Sequence, residues 1–173
     1  MRAEWFVLWV TTGQEKALCD KAARIPGVLR TLCPEQELWK RREGAWVQER
    51  QLLFPSYLFL RCAMNSAIYY DAKELPGVLG WLGKDALWPS TVPQEEMDAV
   101  LALMQGSDPE KTLTDVEINK RQRRGYGTLC LQGKRYRIPF NVYMQAEDAP
   151  GDSSPGTDEA EQERLSGEEA ESP

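Results

Sequence analysis

Histidine is absent from the 173-residue sequence, and this absence excludes several classes of catalytic and metal site. A Ser-His-Asp triad, a Cys-His nucleophile and an HExxH zinc site all require an imidazole. The four cysteines are scattered and include no CxxC pair, which is typical of reduced, mostly buried thiols in a cytoplasmic protein. We therefore predict no metal site and no cofactor.

Catalytic motifs that do not depend on histidine are also lacking. No phosphate-cradling GxxxxGK[ST] sequence occurs, and the loop after the first predicted strand, residues 11–13, carries no arginine. Without histidine, a catalytic site would need carboxylate or arginine chemistry, and in small ferredoxin-like phosphatases an arginine and an asparagine on loops supply it. We predict that the protein is not an enzyme.

Long apolar runs are missing as well. No segment approaches the eighteen or more apolar residues that a membrane-spanning helix needs. The N-terminus leads directly into a strand pattern rather than into a secretory segment. These features predict a cytoplasmic protein with no membrane partner.

The negative charge is unevenly distributed. The formal net charge is −6, but residues 147–173 hold ten of the 27 acidic and one of the 21 basic residues, which leaves 17 acidic and 20 basic residues, a net charge of +3, in residues 1–146. The C-terminal segment has too few apolar residues to offset its ordering entropy, so we predict a disordered acidic tail over 147–173. Such a tail either masks a basic surface or only adds solubility.

Apolar periodicity predicts the order of the elements. Residues 5–10 are apolar on both faces, as in a central strand, with Trp5, Val7 and Trp9 on one side. Further strands are predicted at 28–32, 54–62 and 78–82, a basic hairpin at 39–46, and helices at 14–24, 66–74 and 93–104. The resulting fold class is α+β: a ferredoxin-like βαββαβ antiparallel sheet with helices on one face and one extra helix.

The segment 53–60 places three aromatic residues and a proline in one short apolar run. Pro55 can lie only at an edge, at a bulge or at the start of a strand, because proline cannot donate a hydrogen bond to the ladder. Beyond it, Tyr57 and Phe59 share one face of the strand and Leu58 and Leu60 the other. The aromatic face is either covered by another element or offered to a partner.

Residues 119–146 contain no acidic residue but seven basic ones, interleaved with tyrosines and a phenylalanine. A tight turn of Gly-X type at Gly133 and Lys134 predicts a small β-hairpin within this segment. Basic and aromatic side chains together suit a phosphate backbone and unstacked bases. The alternative is an amphipathic hairpin whose charges only solvate it.

Several blocks in this order resemble the N-terminal (NGN) domain of NusG-type transcription elongation factors. The resemblance covers residues 4–105, and it looks closer to specialised paralogues of the RfaH and LoaP kind because the first strand opens almost at the N-terminus. The blocks are Trp5-Phe6-Val7-Leu8, Gly13-Gln14-Glu15, the 40–44 turn, Leu53-Phe54-Pro55-Ser56-Tyr57-Leu58-Phe59, Leu75-Pro76-Gly77-Val78, Val92-Pro93 and Met97-Asp98-Ala99-Val100.

The resemblance implies binding to RNA polymerase without catalysis. In this family an apolar surface of the NGN domain seats the clamp helices of the largest polymerase subunit. An aromatic surface with a polar rim is also what an interface hot spot needs. The residues that match the clamp-contacting positions are Trp9, Phe54, Tyr57 and Phe59. The alternative is that these aromatic rings belong to the core.

The family also uses the start of its second helix to contact the opposite jaw of the polymerase cleft and the non-template DNA strand. Here the matching residues are Tyr69, Tyr70, Asp71 and Lys73. The His-Thr run of RfaH-like proteins is missing at this place. The tyrosines could stack on bases, or one of them could pack against the sheet.

The sequence predicts three segments: an NGN domain over 1–106, a basic hairpin segment over 107–146, and the acidic tail. The middle segment shows neither the Gly-Asp-x-Val start nor the Gly-Pro-Phe turn of the KOW barrel that normally follows, so recruitment of Rho or the ribosome is not expected. A nascent RNA hairpin or non-template DNA is the expected nucleic-acid partner. The predicted nucleic-acid residues are Lys40, Arg41, Arg42, Lys120, Arg121, Arg123, Arg124, Lys134, Arg135 and Arg137.

The expected function is that of an elongation or antitermination factor. One rigid domain would bridge the two walls of the polymerase cleft and disfavour the opening that pausing and termination need. To do so it must bind the closed clamp better than the open one. The alternative is a free-standing RNA- or DNA-binding regulatory module that does not bind polymerase.

Overall fold

The structure is a computed structural model in which residues 2–83 and 88–142 are described, so the predicted acidic tail and Tyr143 lie outside it. Across the described part of the chain, no helix is both long and apolar enough to cross a membrane. The strands are β1 Glu4–Val10, β2 Val28–Leu32, β3 Glu35–Arg42, β4 Ala45–Leu52, β5 Tyr57–Cys62, β6 Val78–Trp81, β7 Thr114–Asn119, β8 Arg124–Leu131 and β9 Lys134–Asn141. The helices are α1 Glu15–Ala22, α2 Ser66–Lys73, α3 Gln94–Met104 and α4 Pro109–Thr112.

Four strands form an antiparallel sheet in the order β2-β5-β1-β6. This is the ferredoxin-like arrangement, in which the first and third strands of the βαββαβ unit are central, and it confirms the predicted fold class. β1 is central because both of its faces are apolar. Trp9 lies opposite Tyr57 across the β1–β5 pair and opposite Gly80 across the β1–β6 pair.

The sheet carries a hydrophobic cluster on each face. Phe6 and Leu8 of β1 pack with the residues of α1 and α2, while Trp5 and Val7 pack on the opposite face with α3. The prediction that all helices share one face is therefore wrong for α3. Its buried side chains, of which Met97 is one, complete the cluster around Trp5.

Strands β3 and β4 form the predicted basic hairpin, which is longer than its sequence pattern indicated. Its two-residue turn consists of Glu43 and Gly44, with φ of 49° and 86°. Positive φ at both central positions is the type I′ geometry, whose twist matches that of paired strands. This turn presents the basic tip of the hairpin to solvent.

Residues 2–142 form one compact unit apart from the undescribed 84–87, and its C-terminal part is a three-stranded antiparallel sheet, β7-β8-β9. The predicted hairpin is present, but its turn is Gln132-Gly133, with φ of 51° and 77°, and not a Gly-X turn at Gly133-Lys134. The sequence reasoning also missed β7 and the short α4. Leu129 and Ile138 of this sheet lie in the same hydrophobic cluster as Trp5.

Candidate functional site

The turn before β5 is held by a buried carboxylate. Glu15 begins α1, and its carboxylate accepts hydrogen bonds of 2.8 Å from the backbone N–H groups of Gly13 and Ser56. Ser56 has a φ of 72°, a left-handed conformation that a non-glycine residue keeps only when its surroundings hold it there. The backbone N–H of Val10 also donates to the Ser56 carbonyl oxygen, at 2.8 Å. The turn therefore presents Tyr57 at a fixed place beside the end of β1.

Two of the predicted contact residues are buried. Phe54 and Phe59 are 2% and 1% exposed, and their rings meet edge to face with centroids 5.5 Å apart. Tyr136 of β9 packs edge to face on Phe54, at 5.3 Å between centroids, and on Tyr57, at 5.7 Å. Of the two alternatives for the aromatic face, the structure thus shows the covered one. Neither phenylalanine is open to a partner in this structure, and Tyr136 of β9 lies directly on Phe54.

Lys134 completes the cover. Its Nζ atom lies 3.1 Å from the Tyr57 hydroxyl oxygen and 5.6 Å from the ring centroids of both Tyr57 and Tyr136. Burial, followed by the neighbouring Tyr57, raises the pKa of Tyr136 to about 12, so the phenol stays protonated at neutral pH. An ammonium over aromatic faces is attracted by their quadrupoles and contributes about 0.5–1 kcal/mol at exposed sites.

Trp9 is the open member of the predicted set. It is 49% exposed although the rest of β1 is mostly buried, and it stands directly across the ladder from the half-buried Tyr57. An indole that stays half in solvent at the end of a central strand is the kind of side chain that interfaces use as an anchor. Trp9 and Tyr57 together form the accessible part of the aromatic surface.

A second aromatic cluster lies where α2 meets β6. The Tyr69 ring is nearly parallel to the rings of Trp81 and Trp88, at centroid distances of 6.2 and 5.8 Å. Trp81 Nε1 donates to the Tyr69 carbonyl oxygen at 3.1 Å, which fixes the indole against α2. Lys73 Nζ lies 5.6 Å from the Tyr69 ring centroid, and the exposed Tyr70 ring meets Tyr69 edge to face at 5.1 Å. Tyr69 is thus a packing residue.

The exposed members of this second cluster are Tyr70, Lys73 and Trp88, and Asp71 is exposed beside them. Asn65 caps α2 by accepting a hydrogen bond of 2.9 Å from the Ile68 N–H, which orients the first turn of the helix. The structure therefore brings the predicted α2 residues together at one place. It adds Trp88, which sequence reasoning missed.

The basic hairpin is partly neutralised by its own strand partner. Glu49 of β4 lies 3.0 Å from Lys40 Nζ and 2.8 Å from Arg42 Nε. Hydrogen bonds from Arg42 and then Lys40 lower the pKa of Glu49 to about 2. Arg41 points away from this cluster and is exposed. Of the three predicted residues at the hairpin tip, Arg41 is the one most available to a phosphate.

Several of the C-terminal basic residues make contacts within the protein. The Arg123 guanidinium lies 5.0 Å from the Trp46 ring centroid, and Arg124 donates to the Trp39 carbonyl oxygen at 3.2 Å. These two residues join β8 and the turn before it to the β3–β4 hairpin. Substituting them would therefore disturb packing as well as charge.

The remaining predicted cations differ in their surroundings. Arg137 pairs with Glu117 at 3.2 Å and lies 4.4 Å from the Tyr126 ring centroid. Lys120, Arg121 and Arg135 are exposed. The structure thus separates the ten predicted nucleic-acid residues into structural cations and exposed ones, and it does not gather them at a single point.

Sequence reasoning missed three residues that shape these surfaces: Glu15, Tyr136 and Trp88. Glu15 could have been suspected, because an acidic residue in the first turn of a helix next to a glycine turn is a common cap. Tyr136 was noted only as one aromatic residue among basic ones. Trp88 has no local pattern that would have distinguished it.

Comparisons with known proteins agree on one family. The family described as "Transcription termination factor nusG" matches residues 3–101, from β1 through most of α3. A protein from Pseudomonas aeruginosa, the transcription termination/antitermination protein NusG, is 26% identical over 108 residues, which are 58% of this chain and 61% of the relative. The protein of the same name from Bacillus subtilis is 26% identical over 129 residues, covering 69% and 72%.

The fold has a counterpart among solved structures. A structure concerned with domain interaction in Thermotoga maritima NusG aligns with 82% of this chain and 95% of its own, with a TM-score of 0.55 and 18% sequence identity. That likeness concerns the fold alone. Since the family match spans more than half of the sequence, the chain belongs to the NusG family.

Proposed function

We propose that the protein is a transcription elongation factor of NusG type, which binds RNA polymerase and suppresses pausing or termination. Its family is one of transcription factors and not of enzymes, in agreement with the lack of catalytic motifs in the sequence. The observation that carries the proposal is the aromatic surface formed by Trp9 and Tyr57, with Phe54 and Phe59 beneath. An apolar anchor of this kind fits the clamp helices of the largest polymerase subunit.

Contact with the whole aromatic surface requires a rearrangement. Tyr136 and Lys134 cover Phe54 and part of Tyr57 in this structure, so a helix that docks there first meets Trp9 and the exposed edge of Tyr57. Full engagement displaces the start of β9. The apparent affinity for polymerase is then the intrinsic affinity reduced by the fraction of molecules in which β9 is displaced.

The cluster at α2 is the proposed contact with the second jaw of the cleft and with the non-template strand. Tyr70 and Trp88 offer exposed aromatic faces, and Lys73 supplies a positive charge beside them. Base stacking on such a ring contributes about 1–3 kcal/mol per base and tolerates any sequence. With clamp and jaw bound by one rigid domain, opening of the cleft would break one of the two contacts.

Recruitment by nucleic acid is proposed for the exposed basic residues. Arg41, Lys120, Arg121 and Arg135 are the candidates, because the other predicted cations make the internal contacts described above. Specialised paralogues of the RfaH and LoaP kind offer an analogy for recruitment to particular operons through an RNA or DNA element. No partnership with Rho or the ribosome is proposed, and a cytoplasmic location follows from the polymerase proposal.

The first experiment is co-migration of the purified chain with core RNA polymerase. Trp9→Ala and Tyr57→Ala are each expected to weaken binding by at least about 30-fold, since a hot-spot side chain contributes about 2 kcal/mol or more. Leu29→Ala is the matched control, because Leu29 is also apolar and exposed but lies on the edge strand β2. Circular dichroism must show that each variant is folded.

The outcomes separate the two candidate functions. Weakened binding by the two aromatic variants, with normal binding by Leu29→Ala, supports the polymerase proposal. If the folded wild-type protein does not bind polymerase, the polymerase proposal is overturned and the free-standing nucleic-acid module is favoured. The exposed cations named above would then be the binding residues of that module.

A salt titration tests the nucleic-acid part separately. Lys120→Glu and Arg121→Glu are each expected to lower the slope of log affinity against log salt for RNA or DNA by about one, as for each lost phosphate contact. Lys111→Glu serves as the control, because Lys111 is an exposed cation on α4 outside the predicted set. Equal slopes for all three variants and the wild type would rule out these residues as the binding site.

A further inference from the structure

Two of the four cysteines face each other. Cys19 lies in the middle of α1 and Cys33 directly follows β2, and both are partly exposed. The Cys33 thiol donates to the Glu15 carbonyl oxygen at 3.2 Å, one helical turn before Cys19 on α1. A helical side chain lies over the turn that precedes it, so the Cys19 side chain lies at the same place on α1 as the Cys33 thiol. In the sequence these two cysteines are 14 residues apart and form no recognisable motif.

We propose that Cys19 and Cys33 form a redox-active dithiol, a modification site that reacts with low-molecular-weight disulfides such as oxidised glutathione. Two adjacent thiols, one held as an accessible nucleophile and one beside it to resolve the product, are the arrangement that reversible thiol oxidation needs. This proposal does not depend on binding to polymerase.

The hydrogen bonds around Cys19 favour its ionised form. The Cys33 thiol, followed by the Thr31 hydroxyl and the Cys33 N–H, lowers the pKa of Cys19 to about 7, against the opposing effects of burial and of Asp20. A larger share of the Cys19 side chains is then thiolate at neutral pH than the few per cent of an ordinary cysteine. A thiolate with a pKa near the ambient pH is the optimum attacking group in thiol–disulfide exchange.

The hydrogen bond that favours the Cys19 thiolate also keeps Cys33 protonated. Its hydrogen bond to the Cys19 sulfur, burial and the neighbouring negative charges raise its pKa. When the Cys19 sulfur has become part of a mixed disulfide, it no longer carries a charge and its attraction for the Cys33 proton is largely lost. Cys33 thus becomes more acidic at the step in which it must attack.

The reaction balances in two steps. The Cys19 thiolate attacks one sulfur of the small disulfide, forming a mixed disulfide and releasing one small thiolate. Cys33 then gives its proton to that thiolate, attacks the Cys19 sulfur and expels the second small thiolate. Two electrons pass from the protein to the small disulfide, which is reduced to two thiols, one of them ionised.

The site is connected to the turn before β5 by Glu15. Oxidation removes the hydrogen bond from Cys33 to the Glu15 carbonyl, while the carboxylate of the same residue holds the Ser56 N–H. A disulfide between residues 19 and 33 would also fix α1 to the segment that leads into β3. The redox state of the pair would therefore affect the turn that positions Tyr57. Only the consequence for the aromatic surface rests on the proposed function.

The remaining cysteines are internal controls. Cys62 is fully buried, and burial raises its pKa to about 11, while Cys130 is exposed on β8. The full chain is equilibrated in buffers of oxidised and reduced glutathione, its free thiols are alkylated, and it is digested with trypsin without reduction. Trypsin separates the two cysteines into peptides 17–21 and 31–40, so a disulfide between them joins these peptides.

The proposal predicts which product each variant gives. Wild type is expected to give the joined peptides, Cys33→Ser a mixed disulfide with glutathione on Cys19, and Cys130→Ser the wild-type pattern. Glutathione found on Cys130 while Cys19 and Cys33 remain reduced would overturn the proposal.

A second measurement needs no substitution at either cysteine. The rate of Cys19 alkylation in the unsubstituted chain is followed against pH by peptide mass, with an expected midpoint near pH 7. In Cys33→Ala the midpoint is expected to move up by about one pH unit or more. A wild-type midpoint at the ordinary thiol value of about 8.5 would overturn the proposal even if every variant failed to fold.

Discussion

Glu15 offers the sharpest test of how the aromatic surface is built. Its carboxylate is 2% exposed and accepts two backbone hydrogen bonds of 2.8 Å, from Gly13 and from Ser56. Glu15→Ala removes the acceptor and leaves both N–H groups without a side-chain partner next to the buried face of the sheet. Glu15→Gln keeps one acceptor oxygen but turns an amide donor toward the second N–H group.

The size of the effect follows from these two bonds. A hydrogen bond to a charged group contributes about 1.5–3 kcal/mol, and a buried donor left unpaired costs about 1–3 kcal/mol. Desolvation of the carboxylate, which the substitution removes, offsets part of this. We therefore expect Glu15→Ala to lower the free energy of unfolding by about 2–5 kcal/mol and Glu15→Gln by roughly half as much. Either loss is a large fraction of a typical domain stability of about 5–15 kcal/mol.

Urea denaturation measures the global effect, and amide hydrogen exchange at Ser56 measures the local one. Exchange at that amide should accelerate by about tenfold for each 1.4 kcal/mol lost. Glu35→Gln is the control, because Glu35 pairs with Lys16 at 2.6 Å at a more exposed place, where an ion pair contributes about 0–1 kcal/mol. A Glu15→Ala protein with the wild-type urea midpoint would refute the reasoning.

Three further substitutions test other parts of the structure. Phe54→Ala removes a buried ring and is expected to cost about 3–5 kcal/mol in stability; a melting curve by circular dichroism that coincides with wild type would show that the ring is not core. Glu49→Gln removes a carboxyl whose pKa Arg42 lowers from 4.5 to about 2. A group with a depressed pKa stabilises the fold above its unfolded value, so the stability difference between wild type and Glu49→Gln should disappear between about pH 4.5 and pH 2; a difference that persists at low pH contradicts this. Gly125→Ala forces a Cβ into a phenyl ring of β9 and should cost about 1–3 kcal/mol by the urea midpoint, whereas Gly80→Ala meets open space and should cost less; equal effects would argue against that packing.

The main sheet could be predicted because its signals are local. The two apolar faces of β1 identify a central strand, and the Pro-Gly pairs after α1 and α2 mark where each helix gives way to a strand. The turn of the C-terminal hairpin was placed one residue too late, because Gln132 adopts a positive φ that its residue type does not announce. β7 was missed because its alternating side chains are mostly exposed and polar.

The candidate site could be predicted only in part, for a physical reason. The sequence shows that Phe54 and Tyr57 are aromatic and near one another, but the covering of Phe54 by Tyr136 joins residues that are far apart in the chain. A contact of that range depends on how β9 packs against the first sheet, and no local pattern encodes it. The distinction between exposed and structural cations was hidden for the same reason, since Arg124 is tied to the backbone of β3.

The contacts of β9 set stability and binding against each other at the aromatic surface. Tyr136 and Lys134 stabilise the free protein because they bury Phe54 and cover Tyr57, whereas the proposed full interface with polymerase needs the same rings exposed. Any free energy that the cover contributes is subtracted from the binding free energy, so each 1.4 kcal/mol of cover lowers the apparent affinity tenfold. A strong cover would thus keep the factor off polymerase unless a second interaction, such as binding of the exposed cations to a nucleic acid, raised its local concentration. The covered aromatic surface and the proposed recruitment through Lys120 and Arg121 would then act together. The cover would weaken binding to polymerase in general, and recruitment would restore binding only where the nucleic-acid element is present.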